Sequence, residues 1–147
     1  SSAASDVYKR QDGDLFEKGE RKLLNFGTFG HAIEGYRLER EPISHGHAVG
    51  IGMCAESYIS MQRGLLSKDE FQNLQALLVK TYPFLSFSDE CIQGIISLMY
   101  NDKKNEGGKI FSVLLEGIGK GSYHNELSEK EIREALMHIS LLSESLN

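Results

Sequence analysis

From His45 to Arg63 the sequence is apolar on nearly every side, with Val49, Ile51, Met53, Cys54, Tyr58, Ile59 and Met61 spread around the helical wheel. A helix of that kind has no face to give to water, so the rest of the chain has to wrap it. Gly64 comes next as a C-terminal stop. The flanking segments have the single apolar faces such wrapping needs. Arg21 to Tyr36 reads as a first helix anchored by Leu23, Leu24, Phe26 and Ile33, and a polar loop from Arg37 to Pro42 joins it to the central one. Ser67-Lys-Asp-Glu70 spells a capping box, opening a third helix with Phe71, Leu74, Leu77 and Leu78 on one face and Pro83 at its end. Ser88 caps a fourth, with Ile92, Ile95, Ile96 and Met99 inward. The period then changes. Asn101 to Gly108 is a charged, glycine-bearing loop, Ile110 to Leu115 is a short β-prone run, and Gly117, Gly119 and Gly121 interrupt the segment after it. A second capping box, Ser128-Glu-Lys-Glu131, opens a last amphipathic helix through Ile132, Leu136 and Ile139. The expected fold is mainly α: a multi-helix bundle with one short β-hairpin.

A length of 147 residues suits one such domain. Its net charge of −5 gives nucleic-acid binding no electrostatic support. The longest apolar stretch, around Ala48 to Ala55, is too short for a bilayer, so no membrane role is expected. Cys54 and Cys91 lie inside apolar helical patterns, far from any CxxC spacing, and read as buried reduced thiols of a cytoplasmic protein. Residues 1–11 show neither helical nor strand periodicity and no apolar signal-peptide core. They are expected to be a non-native or disordered leader, leaving 12–147 as the domain.

Three clusters hold residues with chemistry. In Arg21-Lys-Leu-Leu-Asn25-Phe-Gly-Thr-Phe-Gly30-His31-Ala-Ile-Glu34, two glycines sit inside a helical pattern at about 1 kcal/mol each against alanine. Close approach of a ligand or of a neighbouring helix is the usual compensation. Arg21 and Asn25 lie one turn apart, suited to phosphate or carboxylate and hydroxyl groups. His31, some 120° further round, reaches the same ligand only by flanking it, and taken singly is a structural histidine or a catalytic one. Ser44-His45-Gly46-His47 opens the central helix, where a histidine is well placed to ligate a metal. Asp102-Lys103-Lys104-Asn105, followed by Gly107-Gly108-Lys109, is either a solvated turn or a loop that brings a lysine to a phosphate or carboxylate.

In this order, LNFG-TFGHAIE, SHGHAVGIGM and DKKNEGGKI-SVLLEGIG resemble the second half of the dehydroquinate synthase family, from about Glu17 to the last helix. The resemblance implies the fold of that family's C-terminal helical domain and a carbon–oxygen lyase of the shikimate pathway. Its substrate is DAHP, a keto-sugar phosphate that NAD transiently oxidises before phosphate leaves, the ketone is reduced and the ring closes. It implies a divalent zinc or cobalt ion as Lewis acid, and a homodimer. By motif, Arg21 and Asn25 match the substrate-contacting pair, His31 the histidine close to substrate and His45 a metal ligand. Lys103 or Lys104 matches the lysine near the substrate, with Lys104 preferred as the catalytic one.

The motif also departs from the family pattern. Where the family reads GHTFGHAIE, Gly27 here is followed directly by Thr28, so the metal-ligating histidine one turn before His31 is missing. A neutral hydroxyl at Thr28 is a poor substitute. The family's third ligand, a glutamate, belongs to its N-terminal NAD-binding domain, and no glycine-rich dinucleotide fingerprint occurs in this chain. His47 stands where many members have glutamate and, two residues from His45 on a helix, is expected to point elsewhere. The chain is therefore expected to be a fragment inactive alone. The alternatives are a fragment of a related sugar-phosphate cyclase or iron-type polyol dehydrogenase, or a helical interaction module with a degenerate active site.

Overall fold

The computed structural model describes residues 27–102 and 107–146, and contains five helices and one two-stranded antiparallel sheet among them. Helix α1 is Gly27–Arg37, α2 His45–Gln62, α3 Lys68–Thr81 and α4 Asp89–Asn101. Strands β1, Ile110–Leu115, and β2, Gly121–Leu127, precede the last helix, α5, Glu129–Leu146. The expected first helix is thus seen over its second part, while Arg21 and Asn25 lie outside the described residues. So do Lys103 and Lys104.

Helix α2 is the hub. Ile51, Met53, Cys54, Ala55 and Ile59 are buried, and α1, α3, α5 and β1 all pack on it. This is the wrapping that its all-round apolar pattern requires. Arg63 caps the helix, and Gly64 comes after it at φ 78°, a left-handed conformation that glycine adopts without steric cost. Both capping boxes form with both of their bonds. Ser67 Oγ accepts from the Glu70 amide while the Glu70 carboxylate accepts from the Ser67 amide, and Ser128 and Glu131 repeat the exchange. The residue before Pro83, Tyr82, is driven to φ −127°, ψ 92°, and α3 stops there. Among the described residues no helix is long and apolar enough to cross a membrane.

The α4 face is as expected, with Ile92, Ile95, Ile96 and Met99 all buried. At about 1.5–3 kcal/mol per large apolar side chain, that face alone is a substantial part of what holds the bundle. One expectation fails. Leu77, placed on the inner face of α3, is 40% exposed. Phe71, Leu74 and Leu78 are buried, and Leu77 falls on the shoulder of that face, left exposed by the described residues. Cys54 and Cys91 are buried free thiols, and burial raises both above the ordinary thiol range; the charges of Arg37 and Arg40 partly oppose this at Cys91.

The hairpin contains a bulge. Ser112 pairs with Asn125 and Leu114 with Ser122, so the β2 side must fit an extra residue between them. His124 absorbs it at φ 67°, and its ring stacks on Phe111 at 4.3 Å.

Candidate functional site

Helices α1 and α2 cross with almost no side chain between them. A methyl group built at Gly52 would lie 2.9 Å from the Gly30 amide nitrogen, and one at Gly30 would lie 3.2 Å from Val49 Cα. Close helix approach, one of the two reasons open from the sequence for a glycine inside α1, is therefore the reason at Gly30. The crossing sets the next residue, His31, beside the first residue of α2, His45. Their ring centroids are 6.1 Å apart and tilted by 56°. Both residues are exposed.

The N-terminus of α2 is tightly built around them. Ser44 Oγ accepts from the His47 amide at 3.1 Å, closing the first turn as an N-cap. His45 Nδ1 lies 3.1 Å from Glu34 Oε1. An ionised carboxylate only accepts, so Nδ1 is the donor in this bond. Glu34 is three residues after His31, on the same side of α1. The sequence shows Glu34 within the motif but not its partner, because the pair forms only through the helix crossing. His47 turns away, as expected: its Nε2 donates to the Pro83 carbonyl at 2.6 Å, tying the α2 N-terminus to the end of α3.

The metal set implied by the family pattern does not fit these residues. Thr28, nearest to the missing histidine, is 1% exposed and donates its hydroxyl to the Phe111 carbonyl at 3.2 Å. It is a structural tie between α1 and β1. Among the described residues no group of three His, Cys, Asp or Glu side chains is placed to hold a metal ion.

A second polar feature, absent from the expectations, lies within α2. Glu56 is fully buried in α2, and its Oε2 accepts from Ser112 Oγ of β1. Burial raises its carboxyl well above the usual range, with the Ser112 bond opposing. A lone acid within an apolar run is the signal that would have marked it, and in the sequence it reads as one polar position on an otherwise apolar wheel.

Known proteins are similar to this chain in sequence and in fold. The 3-dehydroquinate synthase from Parabacteroides distasonis is 37% identical over 125 residues, covering 84% of this chain and 35% of that protein. Those from Alkaliphilus metalliredigens and Prochlorococcus marinus are 39% and 38% identical, over 72% and 86% of this chain and 30% and 34% of theirs. The chain thus spans about a third of the length of the curated relatives it matches. In fold it is similar to 2-epi-5-epi-valiolone synthase from Streptomyces hygroscopicus, solved with NAD+ and Zn2+ bound. The TM-score there is 0.65 at 24% identity, over 90% of this chain and 38% of that one. It is also similar to 2-deoxy-scyllo-inosose synthase complexed with carbaglucose-6-phosphate, NAD+ and Co2+. That match has a TM-score of 0.60 at 24% identity, over 77% and 32% of the two chains. The family model for the C-terminal part of 3-dehydroquinate synthase matches residues 3–105, and the chain belongs to that family.

Proposed function

We propose that this chain is the metal- and substrate-binding C-terminal part of a 3-dehydroquinate synthase, a lyase of the shikimate pathway that feeds chorismate and aromatic amino acid synthesis. In this reading it converts DAHP to 3-dehydroquinate and phosphate only when joined to an N-terminal NAD-binding part, in a homodimeric cytoplasmic enzyme that uses zinc or cobalt. The observation that carries the reading is the meeting of His31 and His45 on one exposed surface, oriented by Glu34, in a chain of this family.

Within the proposal each residue type has a chemical task. Lys104 meets the substrate phosphate as a point charge, with Lys103 beside it, and Arg21 offers a fork for phosphate or carboxylate. Asn25 pairs with a hydroxyl. His31 stands at the substrate's edge, able to accept or return a proton. His45 is the family's metal ligand, but no step is assigned through that ion here, because the accompanying ligands are not in place.

The test is a chimera. The chain replaces the matching third of the Parabacteroides distasonis enzyme, and phosphate release from DAHP is followed with NAD and zinc or cobalt supplied. The chain alone should release none above a no-protein control. The chimera should release phosphate, at least once a histidine is inserted between Gly27 and Thr28. An inserted, folded chimera that binds NAD yet releases no phosphate would overturn the reading.

A further inference from the structure

The start of α2 is a weak stretch of helix. Gly46, Gly50 and Gly52 all fall near its beginning, and glycine is the poorest helix former after proline. A methyl group built at Gly46 would meet nothing within 4 Å, so no close approach calls for glycine there. His45 is the first residue of this stretch, and its place depends on how the turn is held.

Two sides of the helix are gripped. Towards α1, Gly52 lies against Gly30 and His45 meets Glu34. About 200° round from His45, His47 faces the end of α3. There its Nε2 lies 2.6 Å from the Pro83 carbonyl oxygen, and a carbonyl only accepts, so Nε2 is the donor. Three residues on, the Tyr82 ring fills the space over Gly50, where a methyl group would overlap it. We infer that His47 is a positioning residue for the face that holds His31 and His45: its bond to Pro83 fixes the first turn of α2, and His45 with it, against the segment that leaves α3. The inference rests on the proposed function for the importance of His45, and deepens it by naming what holds that residue in place.

Pro83 is a firm anchor. Ser143 Oγ of α5 donates to the next carbonyl, that of Phe84, at 3.0 Å. Ser140 Oγ accepts from the Phe87 amide at 2.8 Å and donates to the Phe87 carbonyl at 3.2 Å. Phe84 and Phe87 are themselves buried. The connection between α3 and α4 is thus strapped to α5, and His47 extends the strap to α2. The Ser44 cap closes the same turn but joins it to no other element. The tie is specific in its chemistry, because an acceptor-only side chain at this position would set its lone pairs against those of the Pro83 carbonyl.

The experiment follows the full 147-residue chain and three variants by nuclear magnetic resonance. Exchange of the Ala48 amide, bonded to the Ser44 carbonyl at 3.0 Å, reads the first turn of α2, and that of Arg63, bonded to the Ile59 carbonyl, reads its far end. The Overhauser contact between the His31 and His45 rings reads the face itself. His47→Ala should speed Ala48 exchange roughly tenfold and weaken the ring contact, with Arg63 exchange unchanged. His47→Glu should behave alike, since its carboxylate cannot donate. His47→Gln, whose amide can donate, should restore both readings. Ala48 exchange unchanged in His47→Ala overturns the inference, as does equal acceleration at Ala48 and Arg63, which marks a general loss of stability. A His47→Glu chain matching wild type, or a His47→Gln chain no better than His47→Ala, overturns it as well. None of these readings involves turnover, so a chimera that releases no phosphate leaves the His47 result standing, and a failed tie leaves the proposed function intact.

Discussion

The Ser112 hydroxyl donates to Glu56 Oε2 at 2.5 Å, joining β1 to the buried middle of α2. The other carboxyl oxygen, Oε1, has no hydrogen-bond partner among the described residues. An ionised carboxylate there would be half-satisfied in a low-dielectric core, which is why burial raises its pKa so far.

Stability should therefore depend on pH. The folded-state pKa of Glu56 lies above the unfolded value of about 4.3. Its contribution is complete below that unfolded value and declines as pH rises toward the folded one, by up to about 1.4 kcal/mol per pH unit. Glu56→Gln keeps an acceptor for Ser112 and cannot ionise. Between about pH 5 and pH 8 the wild type should lose stability relative to the variant, as measured by urea unfolding. A constant difference between the two would show that Glu56 does not titrate on unfolding in that range.

Arg63 acts in the opposite sense. Its guanidinium forks onto Glu131 at 2.6 and 2.8 Å and also donates to the Glu126 carbonyl, joining the end of α2 to the start of α5. The Arg63 bond is the largest cause of the lowered Glu131 pKa. Arg63→Ala should cost about 1–2 kcal/mol at pH 7, less than a fully buried pair because both side chains are partly exposed. A depressed carboxylate stabilises above its unfolded pKa and loses that effect as pH falls through the folded value. The penalty should therefore shrink in acid, and thermal unfolding of both chains at about pH 7 and pH 3 would show whether it does.

Gly52→Ala tests the crossing. Alanine gains about 1 kcal/mol of helix propensity over glycine, yet its methyl would sit 2.9 Å from backbone on α1. Backbone cannot swing aside as a side chain can, so net destabilisation of about 1–3 kcal/mol is expected. A variant as stable as wild type would show that the helices separate without consequence.

Inserting a histidine between Gly27 and Thr28 places an imidazole four residues before His31, on the same helix face. Zinc affinity should rise at least roughly tenfold over the unmodified chain, and His45→Ala should reduce it again. Calorimetry of the three proteins at one pH decides it, and unchanged affinity on insertion would contradict the ligand assignment.

The architecture is legible in the sequence because its signals are local. Capping boxes at Ser67 and Ser128, the Ser88 cap, Pro83 and the inward faces of α4 and α5 all act within a few residues of where they are read. Leu77 departs from its stripe because spacing defines a face but not how wide the neighbouring element is. In the site, His31 and His45 are legible as candidates through their motifs. The Glu34–His45 bond is not, since it joins two helices whose relative placement depends on Gly30 and Gly52. Glu56 is likewise hidden, because its partner lies 56 residues away on a strand.

The Thr28 hydroxyl on the Phe111 carbonyl has a consequence for heredity. A codon gained or lost inside a helix usually turns one half against the other by about 100° and ruins the packing of one of them. Here the helix is pinned to the hairpin at Thr28 and to α2 at Gly30, immediately downstream of the position where the family's histidine is missing. A change of one codon between Gly27 and Thr28 leaves everything from Thr28 onward seated. A change there leaves the bundle folded, and the same junction is open to an inserted histidine.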